Sequence, residues 1–440
     1  MKRRQFVELL AGSGSAALLS ACGGGESSGT GGVGSVPSAQ NAFAQANLVS
    51  SAASDKALFT IPGFTDAWGI AIRPAGAGGH FWVAGGSSSW QFLGDVQNAS
   101  DATLRKLKVD QLTQVTVDTG TTPAGHPTGI AFNGAPLTSS NFVPTGQVMN
   151  DNSVTPPVPV VMQGSARFIF VTDTGNVTAG TERRQDTGAV MRNNGATQVV
   201  YNDATATAPL GAAFFGVAVK TDTWDTLWLA DFGTDPQIRQ MDASWNLVPT
   251  VGFANPFGTG AAGAVKPGDF APFNIQVLAG RVFVLYAKSQ VSPTDISKFN
   301  SGTEDSMDAD AEKASGFAPD RGRLVEYSLT GSMVRVFKDE KHLNSPWGVA
   351  IAPAAFGAFA GTVLVGNFGG GGYITAFDGS NGSFLGYLRR PDGGFVAIPG
   401  LWGLQFGNGA SLGDSDALYF AAGSNDEAAG LFGSLRYSPK

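Results

Sequence analysis

Ser345-Pro346-Trp347-Gly348-Val349-Ala350-Ile351-Ala352-Pro353 sets an aromatic residue and a glycine ahead of a short run that is apolar at nearly every position. Such a run predicts a β-strand buried on both faces. The pattern returns in Ala67-Trp68-Gly69-Ile70-Ala71-Ile72, Pro127-Thr128-Gly129-Ile130-Ala131-Phe132 and Phe214-Phe215-Gly216-Val217-Ala218-Val219. Two further copies are Pro272-Phe273-Asn274-Ile275-Gln276-Val277 and Leu401-Trp402-Gly403-Leu404-Gln405-Phe406. The glycine position falls at 69, 129, 216, 274 (asparagine here), 348 and 403, in steps of 60, 87, 58, 74 and 55 residues. Six irregular copies of one unit point to a repeat architecture.

Each copy is followed by a second apolar strand: Phe81–Ala84, Arg167–Val171, Leu227–Ala230, Arg281–Leu285, Val363–Val365 and Leu418–Phe420. Most copies continue with an alternating strand that has one wetter face, such as Ile238–Met241, Arg323–Tyr327, Tyr373–Phe377 or Ser434–Tyr437. Fourth strands follow at Gln114–Val117, Thr197–Val200, Met333–Phe337 and Phe384–Leu388. Four strands per unit, six units and no long helical period predict an all-β fold, a six-bladed β-propeller whose first strands line the central channel. The last unit stops after its third strand, while a spare apolar segment at Ala46–Val49 precedes the first unit. The ring is therefore expected to close by pairing this segment with the strand around Leu435–Tyr437, which removes an exposed edge. Two stretches depart from the repeat. Residues 134–165 are a Pro- and Asn-rich insertion in the second blade, and residues 291–320 a mostly surface insertion in the fourth, with one helical turn.

The propeller is expected over residues 46–440, behind two segments of another kind. Arg3-Arg4-Gln5-Phe6 precedes a small, apolar run that ends in Leu19-Ser20-Ala21-Cys22. Basic residues before a short apolar stretch mark an export signal over residues 1–22, too short to span as a mature helix. The paired arginines resemble a twin-arginine signal. Leu-Ser-Ala-Cys resembles the lipobox of bacterial lipoproteins, which implies lipidation at Cys22; the plain alternative is a cleaved signal with an incidental cysteine. Residues 23–45, rich in Gly and Ser at their start, read as a flexible tether. Membrane contact is expected through the lipid anchor only, in the cell envelope, facing the periplasm or on the outer membrane, with the chain a monomer.

Cys22 is the only cysteine of the 440 residues, which excludes an intramolecular disulfide and a cysteine metal cluster. The charge of −7, with no basic stripe, argues against nucleic-acid binding. With 14% charged and 10% aromatic residues and 61 glycines, the composition suits many short strands joined by glycine turns.

Asp231-Phe232-Gly233, Val171-Thr172-Asp173-Thr174-Gly175-Asn176 and Val365-Gly366-Asn367-Phe368-Gly369 are similar to the second-strand ends of NHL-type propeller repeats. Pro346-Trp347-Gly348, Gly366-Asn367-Phe368-Gly369, Gly400-Leu401-Trp402-Gly403 and the run Ala422–Gly433 resemble an uncharacterised family of exported bacterial propeller proteins. That resemblance covers roughly residues 46–438 and implies a fold and an exported location, with no activity attached.

Asp173, Asp231 and Asn367 share one position, just past the second strand of three blades. Short polar side chains there bond the turn backbone; alternatively they ring one channel mouth and give oxygen ligands to Ca2+. Ser87 and Lys288 leave such an acidic ring incomplete. Asn425-Asp426-Glu427 forms a turn after the last second strand, so Asp426 and Glu427 either tie the closing blade or join a ligand or Ca2+ site. Asn274, on an inner strand, either lines the pocket or is a buried amide with structural partners. His80, His126 and His342 are scattered, without the paired spacing of a zinc site. Trp68, Trp347 and Trp402, each before the repeat glycine, read as wedges between neighbouring blades rather than as a stacking platform in an open channel.

Two functions from different classes remain open. One is a lipid-anchored scaffold that binds a protein, peptide or glycan through the channel mouth or the long loops. The other is a metal-dependent hydrolase resembling six-bladed lactonases, which hold their metal with Glu, Asn and Asp on separate inner strands. Asn274 matches the Asn, but Ala67-Trp68 stands where a Glu would open the first blade.

Overall fold

A computed structural model describes residues 40–120, 125–192 and 195–439. The signal, Cys22 and the tether up to residue 39 lie outside the described residues. Six blades of four antiparallel strands follow one another along the chain, the fourth extended by Phe299–Glu304 and the last by Phe59–Thr60, which runs parallel to Phe43–Ser50. Their first strands are Ala67–Ala71, Pro127–Phe132, Phe214–Val219, Phe270–Leu278, Pro346–Ile351 and Leu401–Phe406. Each lies at one end of its sheet, and all six contribute to one central cavity. The protein is a six-bladed β-propeller.

The final blade is completed from the other end of the chain. Phe43–Ser50 pairs antiparallel with Ala429–Tyr437, setting Phe43 opposite Tyr437 and Ser50 opposite Leu431. The strand begins three residues ahead of the expected boundary at 46, and Asn41, Ala42 and Phe43 are buried. Phe43 anchors it by stacking on Phe356 of the fifth blade, with ring centroids 4.7 Å apart. The first blade grips the last as well: Gly94 N–H donates to Ser411 O (2.8 Å) and Gly413 N–H to Gly94 O (2.9 Å). Arg436 sits between Asp95 (2.9 Å) and Asp414 (3.1 Å) beneath the Tyr419 hydroxyl.

The glycine of the repeat has a physical cause at the ring axis. A Cβ on Gly348 would stand 2.4 Å from Trp402 O in the next blade, and one on Gly403 2.5 Å from Trp68 O. Gly69, Gly129 and Gly216 meet the second, third and fourth blades in the same way. Neighbouring inner strands thus touch backbone to backbone, and only a residue without a side chain permits it. At the remaining contact Asn274 takes the glycine's place and donates its Nδ2–H to Trp347 O of the fifth blade at 2.6 Å. Gly at five positions and Asn at the sixth therefore follow from one close approach, repeated.

The third strands of the first two blades, Ser88–Leu93 and Asn176–Gly180, were not resolved by alternation because both are almost wholly buried on either face. The second-blade insertion carries its own hairpin, Val148–Asp151 paired with Val158–Val161. The fourth-blade insertion forms the strand Phe299–Glu304 and the helix Ala309–Ala314. It is not all surface, since Glu312 is fully buried.

Replacing Gly348 by Ala should destabilise the ring by about 1–3 kcal/mol, the usual cost of overpacking. Chemical denaturation of Gly348→Ala beside the wild type checks this; equal midpoints would show that the inner strands have room to part.

Candidate functional site

The residue before each repeat glycine decides what fills the axis. Trp68, Phe215, Phe273, Trp347 and Trp402, from the first, third, fourth, fifth and sixth blades, form one buried cluster with Phe232 and Phe368. Trp68 stacks on Trp402 (centroids 3.5 Å apart) and on Phe215 (5.5 Å), and meets Trp347 edge-on. Trp347 donates its indole N–H to Phe215 O at 3.1 Å. Trp68 and Trp402 belong to adjacent blades, but the contacts of Trp68 with Phe215 and Trp347, and of Trp347 with Phe215, join blades that are not neighbours and so cross the axis. The tryptophans therefore do more than wedge adjacent blades and are no platform in an open channel: they plug it. In the second blade Thr128 holds the same position, donating its hydroxyl to Phe214 O at 2.6 Å.

The fourth-blade insertion straps this end. Gly302 N–H donates to Phe232 O of the third blade at 3.0 Å, and Met307 N–H to Asn344 Oδ1, leading into the fifth blade, at 3.0 Å. Glu312 Oε2 accepts from Gly371 N–H at 3.0 Å, while its Oε1 has no hydrogen-bond partner among the described residues. Burial pushes the Glu312 carboxyl up to about 7, with the Gly371 N–H pulling the other way.

The polar residues past the second strands lie at this closed end, because antiparallel pairing sets Asp231 opposite Phe214 and Asn367 opposite Pro346. Each serves the backbone of its own blade. Asp231 is fully buried; its Oδ1 accepts from Ala213 N–H (3.1 Å) and Gly233 N–H (2.9 Å), its Oδ2 from Arg239 (3.0 Å). Burial raises its carboxyl to about 6 against the pull of the Arg239 charge. Asn367 accepts from Asn344 N–H (2.9 Å) and donates to Tyr373 O (2.9 Å). Asp173 accepts from His126 N–H at 2.7 Å and meets the His126 ring at 3.1 Å. Asn425, Asp426 and Glu427 form the turn between the second and third strands of the last blade, all three with positive φ. Among the described residues no three His, Cys, Asp or Glu side chains are grouped to hold a metal ion.

The opposite end is open. A cavity of about 220 Å³ runs from it down to the plug. Trp347 and Asn274 contribute to the lining at the level of the plug, and Ile70, Ile130, Val217, Ile275 and Leu404 come from one inner strand each. Thr221, Gln276 and Gln405 bring polar groups nearer the mouth. None of the described lining residues is ionisable. Asn274 thus lines the pocket and is tied by its amide to Trp347 O at once. Sequence reasoning missed the plug because the aromatic position was weighed blade by blade; its recurrence in five of six copies was the available signal.

No family model matches the chain. An uncharacterised protein of Acanthamoeba polyphaga mimivirus is 26% identical over 390 residues, covering 88% of this chain and 79% of its own length. A second from the same virus is 31% identical over 211 residues, 48% of this chain and 49% of that protein. A third is 24% identical over 281 residues, and the alignment takes in 46% of its length. Among solved structures, the WD40 domain of Neurospora crassa Pan2 is 9% identical with a TM-score of 0.38, covering 90% of this chain and 96% of that one. BamB from Moraxella catarrhalis is 13% identical with a TM-score of 0.31, covering 89% and 99%.

Trp402→Ala should cost about 3–5 kcal/mol, as for other buried aromatic truncations; an unchanged denaturation midpoint would show that the plug does not hold the ring. Glu312 yields a pH prediction. Its carboxyl titrates near 7 in the fold and near 4.5 when unfolded, so the folded state holds more protons between those values. Stability contributed by the group is present below about 4.5 and is lost as pH rises toward 7, on the order of 3 kcal/mol. Glu312→Gln keeps an acceptor for Gly371 and should gain on the wild type over that window. Asp231 slopes the same way and persists in both proteins, so parallel pH–stability curves would rule the effect out.

Proposed function

We propose that this chain is an exported, lipid-anchored β-propeller that acts as a binding scaffold in the cell envelope, meeting a protein partner with the open end of its ring. The observation that carries the binding reading is the asymmetry of the channel. One end is filled by aromatic rings and strapped over, while the other opens on a preformed cavity whose described lining is uncharged. Export and anchoring rest on the paired arginines and on Leu19-Ser20-Ala21-Cys22, and the kinship to NHL-like repeats on the second-strand ends around Asp173, Asp231 and Asn367.

A lactonase-like site is less well supported. General acid–base or metal-assisted hydrolysis needs carboxylates or imidazoles facing the substrate. Here Trp68 occupies the place of the metal-binding Glu, inside the plug, and the Asn274 Oδ1 that would ligate a metal accepts from Ile275 N–H at 2.8 Å.

Site-specific photo-crosslinking in the producing cells tests the scaffold. A probe at Thr221, on the cavity lining, should yield protein adducts, and one at Lys298, on the strap insertion, should not. Adducts from Lys298 alone would overturn the assignment of the binding end. Fractionation tests the anchor: wild type should follow the membranes and Cys22→Ala should become soluble, and identical partitioning of the two would remove it.

A further inference from the structure

We propose that the open-end cavity is a binding site for an uncharged group of about one aromatic ring that carries an amide or hydroxyl. The inference rests on the open end being the binding face and adds the chemistry of what enters it. Size is the first argument. The cavity measures about 220 Å³, and an apolar protein cavity of roughly 150 Å³ accommodates benzene, so it holds one ring with a small substituent, and anything larger stays outside the mouth.

Charge is the second. The described lining has no ionisable side chain, and an ion moved into it would lose its hydration with no opposite charge to meet it. Hydrogen bonding is the third. The cavity is bordered by six inner strands, each the edge strand of its own sheet, which leaves backbone N–H and C=O groups on the axial side without a partner in that sheet. Gln276 and Gln405 add neutral amide groups near the mouth. Walls of aliphatic side chains with Phe132, Trp224 and Trp347 among them, beside neutral donors and acceptors, suit a ligand with an apolar body and one uncharged polar edge. Such a group comes either as a small molecule or as a side chain of the partner protein.

The test titrates the purified full-length chain with benzamide, benzoate and benzylammonium at pH 7, and with N-acetyl-phenylalanine amide as the peptide-like probe, by calorimetry. A neutral probe should bind saturably at one site, and the two ions at least about tenfold more weakly, a difference of about 1.4 kcal/mol. If only benzamide binds, the source is a small molecule; if only the capped amino acid binds, it is a side chain. Ile130→Phe should fill the cavity and abolish binding without lowering the melting temperature. Gln405→Leu, at the wetter end of the wall, should weaken binding severalfold and leaves the packed core untouched if the first variant fails to fold. Equal binding of the ions, binding that survives both substitutions, or no binding of either neutral probe would each overturn the proposal. Partner cross-links at Thr221 would persist in that event if only the ligand chemistry is wrong, and would be missing if the scaffold reading is wrong too.

Discussion

Everything in this ring depends on six inner strands approaching one another at the axis, backbone against backbone. The geometry leaves no space for a Cβ at Gly348 or Gly403. That demand spaces one residue type through the chain at irregular intervals, while the loops between vary freely because they lie away from the axis. Asn274 shows the same constraint met differently: opposite the glycine-sized gap at Gly216, a short amide fits and returns a hydrogen bond to the next blade. The aromatic residue just ahead of each glycine is then carried to the axis by the same strand. Five large rings from five blades converge there, and their burial adds an apolar core at the centre of a fold whose other cores lie between blades.

The strand pattern was legible in the sequence because inner and second strands are buried on both faces and read as unbroken apolar runs, such as Val363-Leu364-Val365. Closure was legible too, since a three-strand last unit and a spare first strand leave one arrangement without an open edge. What alternation could not show was a third strand such as Asn176–Gly180, buried on both sides and polar in places, so that it has neither the period nor the composition of its counterparts.

The candidate site was harder to read. Asp231 and Asn367 stand out as repeated polar residues, yet pairing register puts them beside the start of the inner strand, where their oxygens and amides satisfy the main chain. The cavity, by contrast, takes only the Asn274 and Trp347 side chains from the aromatic-glycine position of the repeat; the Ile, Val, Leu and Gln side chains around them carry no motif, and the arrangement of six strands in space brings them around one axis. Glu312 lies in an acidic stretch that reads as solvated surface, and its burial follows from the docking of the strap on the fifth blade rather than from anything local.

The seam between Phe43–Ser50 and Ala429–Tyr437 is the one blade contact that joins distant parts of the described chain within a single sheet. Five blades are made from continuous chain, but the sixth needs two segments from opposite ends of the described residues together. Joining strands so far apart in sequence carries a loop-closure entropy that local hairpins avoid. Unpaired, Ala429–Tyr437 would show a bare edge and Phe43–Ser50 would have no strand partner in the last blade. Without that pairing the ring is an open arc, and its closure rests on one seam between strands far apart in sequence.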